Sequence, residues 1–311
     1  MRFVTYISNG NAAVGLLTPD QKYVIDLRQA QIVKDEPNPV PNPLPDNLLA
    51  CIQMGEAFVE ISREILRFVE AYRQNAGDIH LSWLQPLEAV QLLAPIPRPA
   101  KNIMCVGKNY VEHAEEIGGK ESVPDHLIVF TKAPTAVSAP GAVVSCQSHV
   151  TQQMDYEGEL AVVIGKKVRG VSEEEAMDAV FGYTIINDLS ARDLQFRHKQ
   201  YFLGKSIDGF CPMGPYLVTK DEVPVPERLN IVTRVNGEVR QSANTEQMIF
   251  TIPQIIATIS AGTTLEPGDI IATGTPAGVG HAKHPPAYLK PGDRVDVEIE
   301  GLGVLTTFVG E

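Results

Sequence analysis

The sequence predicts an α+β protein that is mainly β, and three observations support this class. From residue 100 onward, short runs rich in Val and Ile recur between Gly and Pro turns, which is typical of strands. Before residue 100, strand-like runs are followed by a segment at residues 47–75 with apolar side chains at helical spacing. Three alternating prolines at residues 93–99 separate the two regions. We therefore predict a small N-terminal α+β domain over residues 1–95 and a larger domain over residues 96–311.

The N-terminal region should combine strands with one helix. Three short strands, separated by Asn, Gly, Pro and Asp turn residues, are expected at residues 2–7, 13–17 and 23–27. Five prolines between residues 37 and 45 exclude a helix there. Residues 47–75 should then be helical, because Ile61, Ile65 and Val69 fall on one face.

The larger region should consist of strands joined by tight turns. Strands are predicted at residues 160–164, 182–186, 217–219, 231–235, 270–272 and 295–300. Asn236-Gly237 lies between two strand-like runs and predicts a hairpin with a type I′ turn. Two Pro-Gly tetrads, at residues 266–269 and 290–293, predict turns that lead into strands.

Two capping patterns predict short helices within this region. Ser172 with Glu175 forms a capping box for a helix that reaches about Val180. Ser190 with Asp193 forms a second one, just after a predicted strand.

Composition excludes several classes of function. The net charge of −12 argues against nucleic acid, because phosphate binding needs clustered Lys and Arg. No run approaches the roughly 20 apolar residues of a membrane span, and residues 1–10 do not resemble a secretory signal. Four irregularly spaced cysteines suggest free thiols in a reducing compartment rather than zinc ligands. We expect a cytoplasmic protein, with a mitochondrial location still open.

Three acidic residues suggest a metal site. Glu157 and Glu159 precede an apolar run, so on a strand they would point the same way, and Asp188 follows the next strand. Neighbouring buried carboxylates repel each other unless a cation neutralises them, and an oxygen-only ligand set suits Mg²⁺, Mn²⁺ or Ca²⁺. The alternative is a solvated sheet face. An EF-hand is excluded, since Leu160 and Lys166 occupy the positions of its Gly and its last Glu.

A short helix at residues 109–117 is predicted next to a polar run. Asn109 with Glu112 would cap it, and Gly118-Gly119 would end it. His113 and Glu116 lie three residues apart and share a face, where the carboxylate could orient the imidazole as a base. The alternative is a solvated helix with a surface histidine.

Cations that help to bind an anionic substrate should lie near these carboxylates, because three carboxylates and a divalent ion sum to a charge of −1. Lys132, Arg192 and Lys205 are the candidates, and Gln195 could add a polar contact to a substrate. Each could instead be a solvated surface group. The Gly-rich turn that begins with Gly274 and Thr275 could hold a carboxylate through backbone N–H groups, or could be a purely structural turn.

Five motifs occur in an order that resembles one family. They are Gly-Lys-Asn-Tyr at residues 107–110, Glu-x-Glu at 157–159, Asn-Asp-Leu-Ser-Ala-Arg-Asp at 187–193, Phe-Leu-Gly-Lys at 202–205 and Gly-Thr-Pro-Ala-Gly-Val-Gly at 274–280. Together they resemble the fumarylacetoacetase superfamily over roughly residues 100–305. Residues 1–95 are similar to the small N-terminal domain of members of this length.

The resemblance implies a fold and a set of roles. The catalytic domain would be a mixed β-sandwich roll in a homodimer, with Glu157, Glu159 and Asp188 as metal ligands. His113 and Glu116 would lie on a lid over the metal and activate water, and Lys205 would stabilise a developing oxyanion. Longer family members carry one more Asp ligand before the histidine, which residues 107–110 lack. Fumarylacetoacetate itself is therefore disfavoured as substrate.

The expected substrate is a small 2-oxo or enol carboxylic acid whose 1-carboxylate and 2-oxo oxygen chelate Mg²⁺ or Mn²⁺. The first prediction is C–C bond hydrolysis of acylpyruvate-type substrates. Enol–keto tautomerisation or decarboxylation of oxaloacetate is almost equally well supported by the sequence. A 2-hydroxymuconate-type delta-isomerase is a further alternative. A non-catalytic metal-binding protein on the same fold is the remaining one.

Overall fold

The computed structural model describes residues 1–36, 43–76 and 81–311, and strands dominate them. The strands are β1 (Arg2–Ser8), β2 (Asn11–Leu17), β3 (Tyr23–Asp26), β4 (Leu84–Pro86), β5 (Leu92–Leu93), β6 (Ile103–Gly107), β7 (Ile128–Lys132), β8 (Val137–Ser138), β9 (Val143–Ser145), β10 (Met154–Asp155), β11 (Gly158–Ile164), β12 (Val180–Asn187), β13 (Ser190–Ala191), β14 (Cys211–Thr219), β15 (Asn230–Val235), β16 (Glu238–Asn244), β17 (Ile270–Ala272), β18 (Arg294–Ile299) and β19 (Gly303–Gly310). The α-helices are α1 (Leu27–Lys34), α2 (Leu48–Gln53), α3 (Glu56–Ala76), α4 (Val111–Gly118), α5 (Glu173–Ala176), α6 (Arg192–Arg197), α7 (Phe202–Lys205) and α8 (Ile252–Ser260). The predicted α+β, mainly β class is confirmed.

Two mixed sheets pack against each other. The larger has the order β4-β3-β2-β1-β14-β12-β11-β17-β6-β7, with β5 on β1 and β8 on β14. The smaller has the order β16-β15-β18-β19-β9 and packs on β11, β12 and β14. Val162, Tyr183 and Val297 belong to the buried core between the two sheets. Buried on both faces, β11 is a continuous apolar run after Glu159 instead of an alternating one.

The N-terminal region extends the large sheet. β1 pairs with β14, with Phe3 opposite Leu217, and the N-terminal helices add to a second core that includes Phe58 and Phe181. The Phe3 ring centroid lies 4.7 Å from that of Phe58. The predicted boundary at residues 95/96 falls in the irregular segment between β5 and β6. The division into two domains stays a prediction.

Two predictions about the N-terminal region are wrong. Leu27, expected at the end of the third strand, instead begins α1, a helix that was not predicted, because the Asp26 carboxylate accepts a hydrogen bond from the Gln29 backbone N–H at 3.0 Å and so caps it. The single helix expected at residues 47–75 is divided into α2 and α3 at Gly55, whose φ of 64° breaks the helical path. Pro43 and Pro45 are non-helical as predicted, while residues 37–42 lie outside the described residues.

The turn predictions are confirmed, and of the two capping boxes predicted at Ser172 and Ser190 the second is wrong. Asn236 and Gly237 both have positive φ in the β15–β16 hairpin, and Ser172 forms its capping box with Glu175. Ser190, in contrast, lies in β13, which pairs with β10, and its hydroxyl donates to the Asp188 carbonyl. The predicted cap with Asp193 is therefore wrong, because strand pairing takes Ser190 away from the start of α6.

The four cysteines are buried and unpaired, as predicted. Among the described residues, we find no helix with the length and apolar character needed to cross a membrane.

Candidate metal and substrate site

Three carboxylates converge where β11 begins and β12 ends. Glu157 and Glu159 flank Gly158, which pairs with Asn187, the residue before Asp188. Glu157, Glu159 and Asp188 are buried, and their ligand oxygens lie within 4.8 Å of one another. A Cβ on Gly158 would stand 2.3 Å from the Thr233 hydroxyl, so only glycine lets the two sheets approach this closely between the two glutamates. The convergence expected from the sequence is therefore present.

Buried cations surround this group of carboxylates. The Lys205 Nζ donates to Glu157 and, at 2.7 Å, to Asp188, while the Lys132 Nζ donates to Asp188 and to the Leu189 carbonyl. Burial alone would lower the pKa of Lys205, but the charges of Asp188 and Glu157 raise it above its ordinary value. Lys205 is therefore a fixed positive charge in this arrangement and not a base.

Arg192 joins the same network from the start of α6. Its guanidinium lies 2.7 Å from Glu157 and 2.9 Å from Asp155, and its Nη1 donates to the Gln195 side-chain oxygen at 3.0 Å. Burial would raise the pKa of Glu157, yet the charges of Lys205 and Arg192 lower it below its ordinary value. Four buried carboxylates, with Asp155 included, thus face three buried cations.

Glu159 is the carboxylate without a cationic partner among the described residues. It accepts one hydrogen bond, from the Gly274 backbone N–H at 2.8 Å. Burial and the charges of Asp188 and Glu157 raise its pKa well above the ordinary value. An added cation would remove this uncompensated charge, and the all-oxygen donor set matches the preference of Mg²⁺, Mn²⁺ and Ca²⁺. The residues present therefore fit a divalent metal ion.

His113 and Glu116 form the pair expected on α4. The His113 Nδ1 lies 2.8 Å from Glu116 Oε1, and both Glu116 oxygens accept from the Gly278 backbone N–H, at 2.9 and 3.1 Å. With Nδ1 donating to the carboxylate, Nε2 is the nitrogen left to accept a proton. His113 also lines the cavity described below.

The predicted cap of this helix is wrong, while its end is confirmed. Tyr110 is the N-cap and makes no side-chain capping bond. The Asn109 amide instead donates to the Phe250 and Thr273 carbonyls at 3.0 and 2.8 Å and accepts from the Phe250 N–H. The polar atoms of the Asn109 side chain are thus bonded to two distant backbone segments and do not cap the helix. Gly119, with a φ of 77°, ends α4 as expected.

The Gly-rich turn binds carboxylates that belong to the protein itself. Besides the bonds to Glu159 and Glu116, the N–H groups of Gly280 and His281 donate to Asp155 at 2.7 and 3.0 Å. The Thr275 hydroxyl donates to the Gly158 carbonyl and accepts from Gln241. The turn is therefore structural, and the prediction that Gly274 and Thr275 bind a substrate carboxylate stays a prediction.

A cavity of about 220 Å³ opens beside the three carboxylates. Of the predicted site residues, those on its wall are His113, Glu157, Glu159, Arg192, Gln195, Lys205 and Thr275. Four other predicted site residues do not line the cavity but contact residues on its wall or next to it; they are Glu116, Lys132, Asp188 and Gly274. The sequence analysis did not select Lys108, Phe130 or Tyr201, which also line the cavity, or Asp155, which anchors Arg192. Lys108 belongs to the Gly-Lys-Asn-Tyr motif and Asp155 lies two residues before Glu157, and these positions were the available signal.

Comparisons with known proteins agree with this geometry. Residues 102–310 match the family model described as fumarylacetoacetate (FAA) hydrolase C-terminal. The chain is 48% identical over 310 residues to oxaloacetate tautomerase YisK of Bacillus subtilis (strain 168), with both sequences fully covered. Its structure is similar to a fumarylacetoacetate hydrolase from psychrophilic Exiguobacterium antarcticum, with 40% identity, a TM-score of 0.79 and coverage of 100% and 99%. It is also similar to a maleylpyruvate hydrolase from Sphingobium sp. SYK-6, with 31% identity, a TM-score of 0.74 and the same coverage.

Proposed function

The chain belongs to the fumarylacetoacetate hydrolase family, and from this premise we propose that it is a divalent-metal-dependent tautomerase that interconverts the enol and keto forms of oxaloacetate. Named relatives include a tautomerase and hydrolases of small molecules, so the chain is an enzyme that acts on small molecules. The finer assignment of reaction and substrate is the proposal.

One observation carries the choice of reaction: full-length identity of 48% to a protein named as an oxaloacetate tautomerase. The size of the cavity supports it. A volume of about 220 Å³ lies below the roughly 300–1,000 Å³ of drug-sized ligand sites, which favours a substrate as small as a four-carbon acid.

The metal would be held by Glu157, Glu159 and Asp188, and Mg²⁺ or Mn²⁺ is the proposed ion, with Ca²⁺ as a further option. When bound, the ion would supply Lewis-acid charge to the 1-carboxylate and 2-oxygen of the substrate. Lys205 and Arg192 keep the surrounding carboxylates compensated, and Gln195 offers its amide on the cavity wall.

His113 is the proposed acid–base group. In the enol-to-keto direction, the 2-hydroxyl loses a proton and C3 gains one, so a group that can accept and return a proton must face the substrate. Nε2 of His113 can do this, while Glu116 fixes the ring through Nδ1. Glu116 is itself positioned by the Gly278 N–H, so the acid–base group is oriented before substrate binds.

A substrate panel tests this proposal against its alternatives. Purified protein with Mg²⁺ or Mn²⁺ is offered oxaloacetate, acetylpyruvate and a 2-hydroxymuconate-type acid, and NMR spectroscopy identifies the products. We expect accelerated enol–keto exchange of oxaloacetate without net consumption. Rapid release of pyruvate from oxaloacetate would assign a decarboxylase instead, and a shifted double bond in the third substrate would assign an isomerase.

C–C bond hydrolysis of acylpyruvates is the second candidate function. Two structural relatives are named as hydrolases, and the His113–Glu116 pair could take a proton from water. Water would add to the 4-oxo carbon, the C3–C4 bond would break, and C3 would take up a proton. Release of acetate and pyruvate from acetylpyruvate in the same panel would favour this reaction.

Homodimer formation and a cytoplasmic location stay predictions. Val143, Val304 and Phe308 are exposed apolar side chains on neighbouring strands of the smaller sheet, which supports self-association. The mass in solution, measured by light scattering, would decide between monomer and dimer.

A further inference from the structure

Lys108 occupies an unusual position at the edge of the cavity. It directly follows β6, is half-buried, and lines the same cavity as the carboxylates. Its φ of 55° lies in the left-handed region, which is uncommon for a residue other than glycine. The next residue, Asn109, is fully buried and fixed by side-chain bonds to Phe250 and Thr273, so the backbone at Lys108 is held in this conformation. Strained backbone that is held so firmly is typical of functional positions.

Lys108 also differs from the other cations of the cavity wall in having no anionic partner. Arg192 is paired with Asp155 and Glu157, and Lys205 is paired with Glu157 and Asp188. Lys108 makes neither an ion pair nor a hydrogen bond with any of the residues that the structure describes. Its ammonium group is therefore available to an anion inside the cavity.

The unpartnered charge of Lys108 leaves room for a second substrate carboxylate. Four buried carboxylates face three buried cations, and Glu116 next to His113 adds one more carboxylate, so a divalent ion would bring the sum of these charges to zero. Lys108 is then an additional positive charge on the cavity wall. The distal carboxylate of a dicarboxylate substrate would pair with it, whereas a monocarboxylate would leave Lys108 without an anionic partner.

We propose that Lys108 binds the distal carboxylate of the substrate and thereby selects dicarboxylates over 2-oxo monocarboxylates of the same length. The inference rests on the proposed function in one respect, because it assumes that the 2-oxo acid end lies at Glu157, Glu159 and Asp188. Lys108, Glu157 and Glu159 line the same cavity of about 220 Å³, and the proposal places the two ends of a four-carbon acid at these two parts of its wall.

A structural role for Lys108 makes a different prediction. Its Nζ lies 3.5 Å from the position of a Cβ on Gly118, close to the C-terminal end of α4, where helix carbonyls favour a cation. If this were its purpose, removing the charge would lower thermal stability and affect all ligands equally.

The test uses two ligands that are not turned over and differ in the distal group. Malate carries the second carboxylate, while 2-hydroxybutanoate carries a methyl group there. Calorimetry with the Mg²⁺-loaded protein measures both affinities in the parent, in Lys108→Met and in Lys108→Arg. Methionine, like lysine, has a Cβ, so the free-energy cost of the positive φ at residue 108 is unchanged. Lys120→Met, an exposed lysine just after α4, is the matched control for loss of one positive charge near the cavity.

We expect Lys108→Met to weaken malate binding about 10- to 100-fold, in line with a lost charged hydrogen bond, and to leave 2-hydroxybutanoate binding unchanged. Lys108→Arg should retain most of the preference, and Lys120→Met should retain all of it. Equal losses for both ligands, or no loss for malate, would overturn the proposal. Absence of oxaloacetate tautomerisation in the parent would instead refute the proposed function, since the binding comparison does not depend on turnover.

Discussion

At the scale of single residues, Glu159 is the carboxylate on which metal binding should depend most. Glu157 and Asp188 are each compensated by lysine or arginine, whereas Glu159 has the Gly274 N–H as its partner among the described residues. The first prediction is that Glu159→Ala abolishes Mg²⁺ or Mn²⁺ binding measured by calorimetry and removes activity with it. Glu173→Ala, at an exposed position on α5, should bind the ion as the parent does. Unchanged metal affinity in the Glu159 variant would show that the three carboxylates are not the metal site.

His113 should affect the rate of reaction far more than substrate affinity. Its imidazole is the proposed proton carrier, and general acid–base groups contribute about 10²- to 10⁴-fold. We therefore expect His113→Ala to lower kcat by roughly 10²-fold or more with little change in KM, in oxaloacetate tautomerisation and in any acylpyruvate hydrolysis. A variant with the parent's kcat would show that His113 is not the acid–base group of the reaction.

Asp155 is a positioning residue that the sequence analysis overlooked. Its buried carboxylate accepts from Arg192 and from the N–H groups of Gly280 and His281, so it joins α6 to the Gly-rich turn. Asp155→Asn keeps the size but removes the charge opposite Arg192. We expect a drop in melting temperature and a raised KM, with metal affinity within a few-fold of the parent. An unchanged KM would show that Arg192 keeps its position without Asp155.

Residue types in the motifs were enough to identify most of the site. The sequence motifs included the three carboxylates, Lys205 and Arg192, and His113 follows the first motif by three residues; the fold brings these residues together. Asp155 was missed because its role depends on its partners Arg192, Gly280 and His281, and Lys108 was missed because its role depends on lacking an anionic partner at the cavity wall. Both properties become visible only when distant segments meet in the fold.

At the scale of elements, the contact between α4 and the Gly-rich turn should control the active arrangement. Glu116 accepts both of its backbone bonds from Gly278, whose φ is 106° and whose Cβ would stand 1.9 Å from the Arg240 carbonyl. Gly278→Ala should therefore displace the turn and lower kcat at least about 10-fold, because strain of this kind costs about 1–3 kcal/mol.

Gly262→Ala is the matched control, since nothing lies within 4 Å of the added Cβ there. Metal affinity should survive in both variants. Equal activity of the two would show that α4 does not need the turn to orient His113.

Strands and turns could be predicted from the local sequence pattern, whereas helix caps could be predicted from it in some cases only. The hairpin at Asn236-Gly237 and the box at Ser172 depend on neighbouring residues alone, and both are confirmed. Asn109 and Ser190 had equally suitable local patterns for capping. Asn109 instead bonds to the Phe250 and Thr273 carbonyls, and Ser190 lies in a strand paired with β10. Tertiary contacts therefore prevented both residues from capping a helix, and such contacts cannot be read from the local sequence pattern.

At the scale of the whole molecule, the fold should survive removal of the metal. Two large buried cores, one between the sheets and one against the N-terminal helices, do not depend on the ion. We expect a chelator to leave the protein folded in circular dichroism. Saturating Mg²⁺ should raise the melting temperature by several degrees, since a ligand at 100 times its Kd adds about 2.7 kcal/mol. Unfolding by chelator alone would make the ion primarily structural.

The central claim is that the carboxylate site with its metal ion interconverts the enol and keto forms of oxaloacetate. The most direct measurement is the initial rate of loss of enol oxaloacetate, followed by its ultraviolet absorbance, in metal-loaded, chelated and reloaded protein. We expect a fast metal-dependent rate that chelation abolishes, that Mg²⁺ or Mn²⁺ restores, and that Glu159→Ala lacks under all conditions. A rate at the uncatalysed level in the loaded parent protein, or one that chelation leaves unchanged, would contradict it.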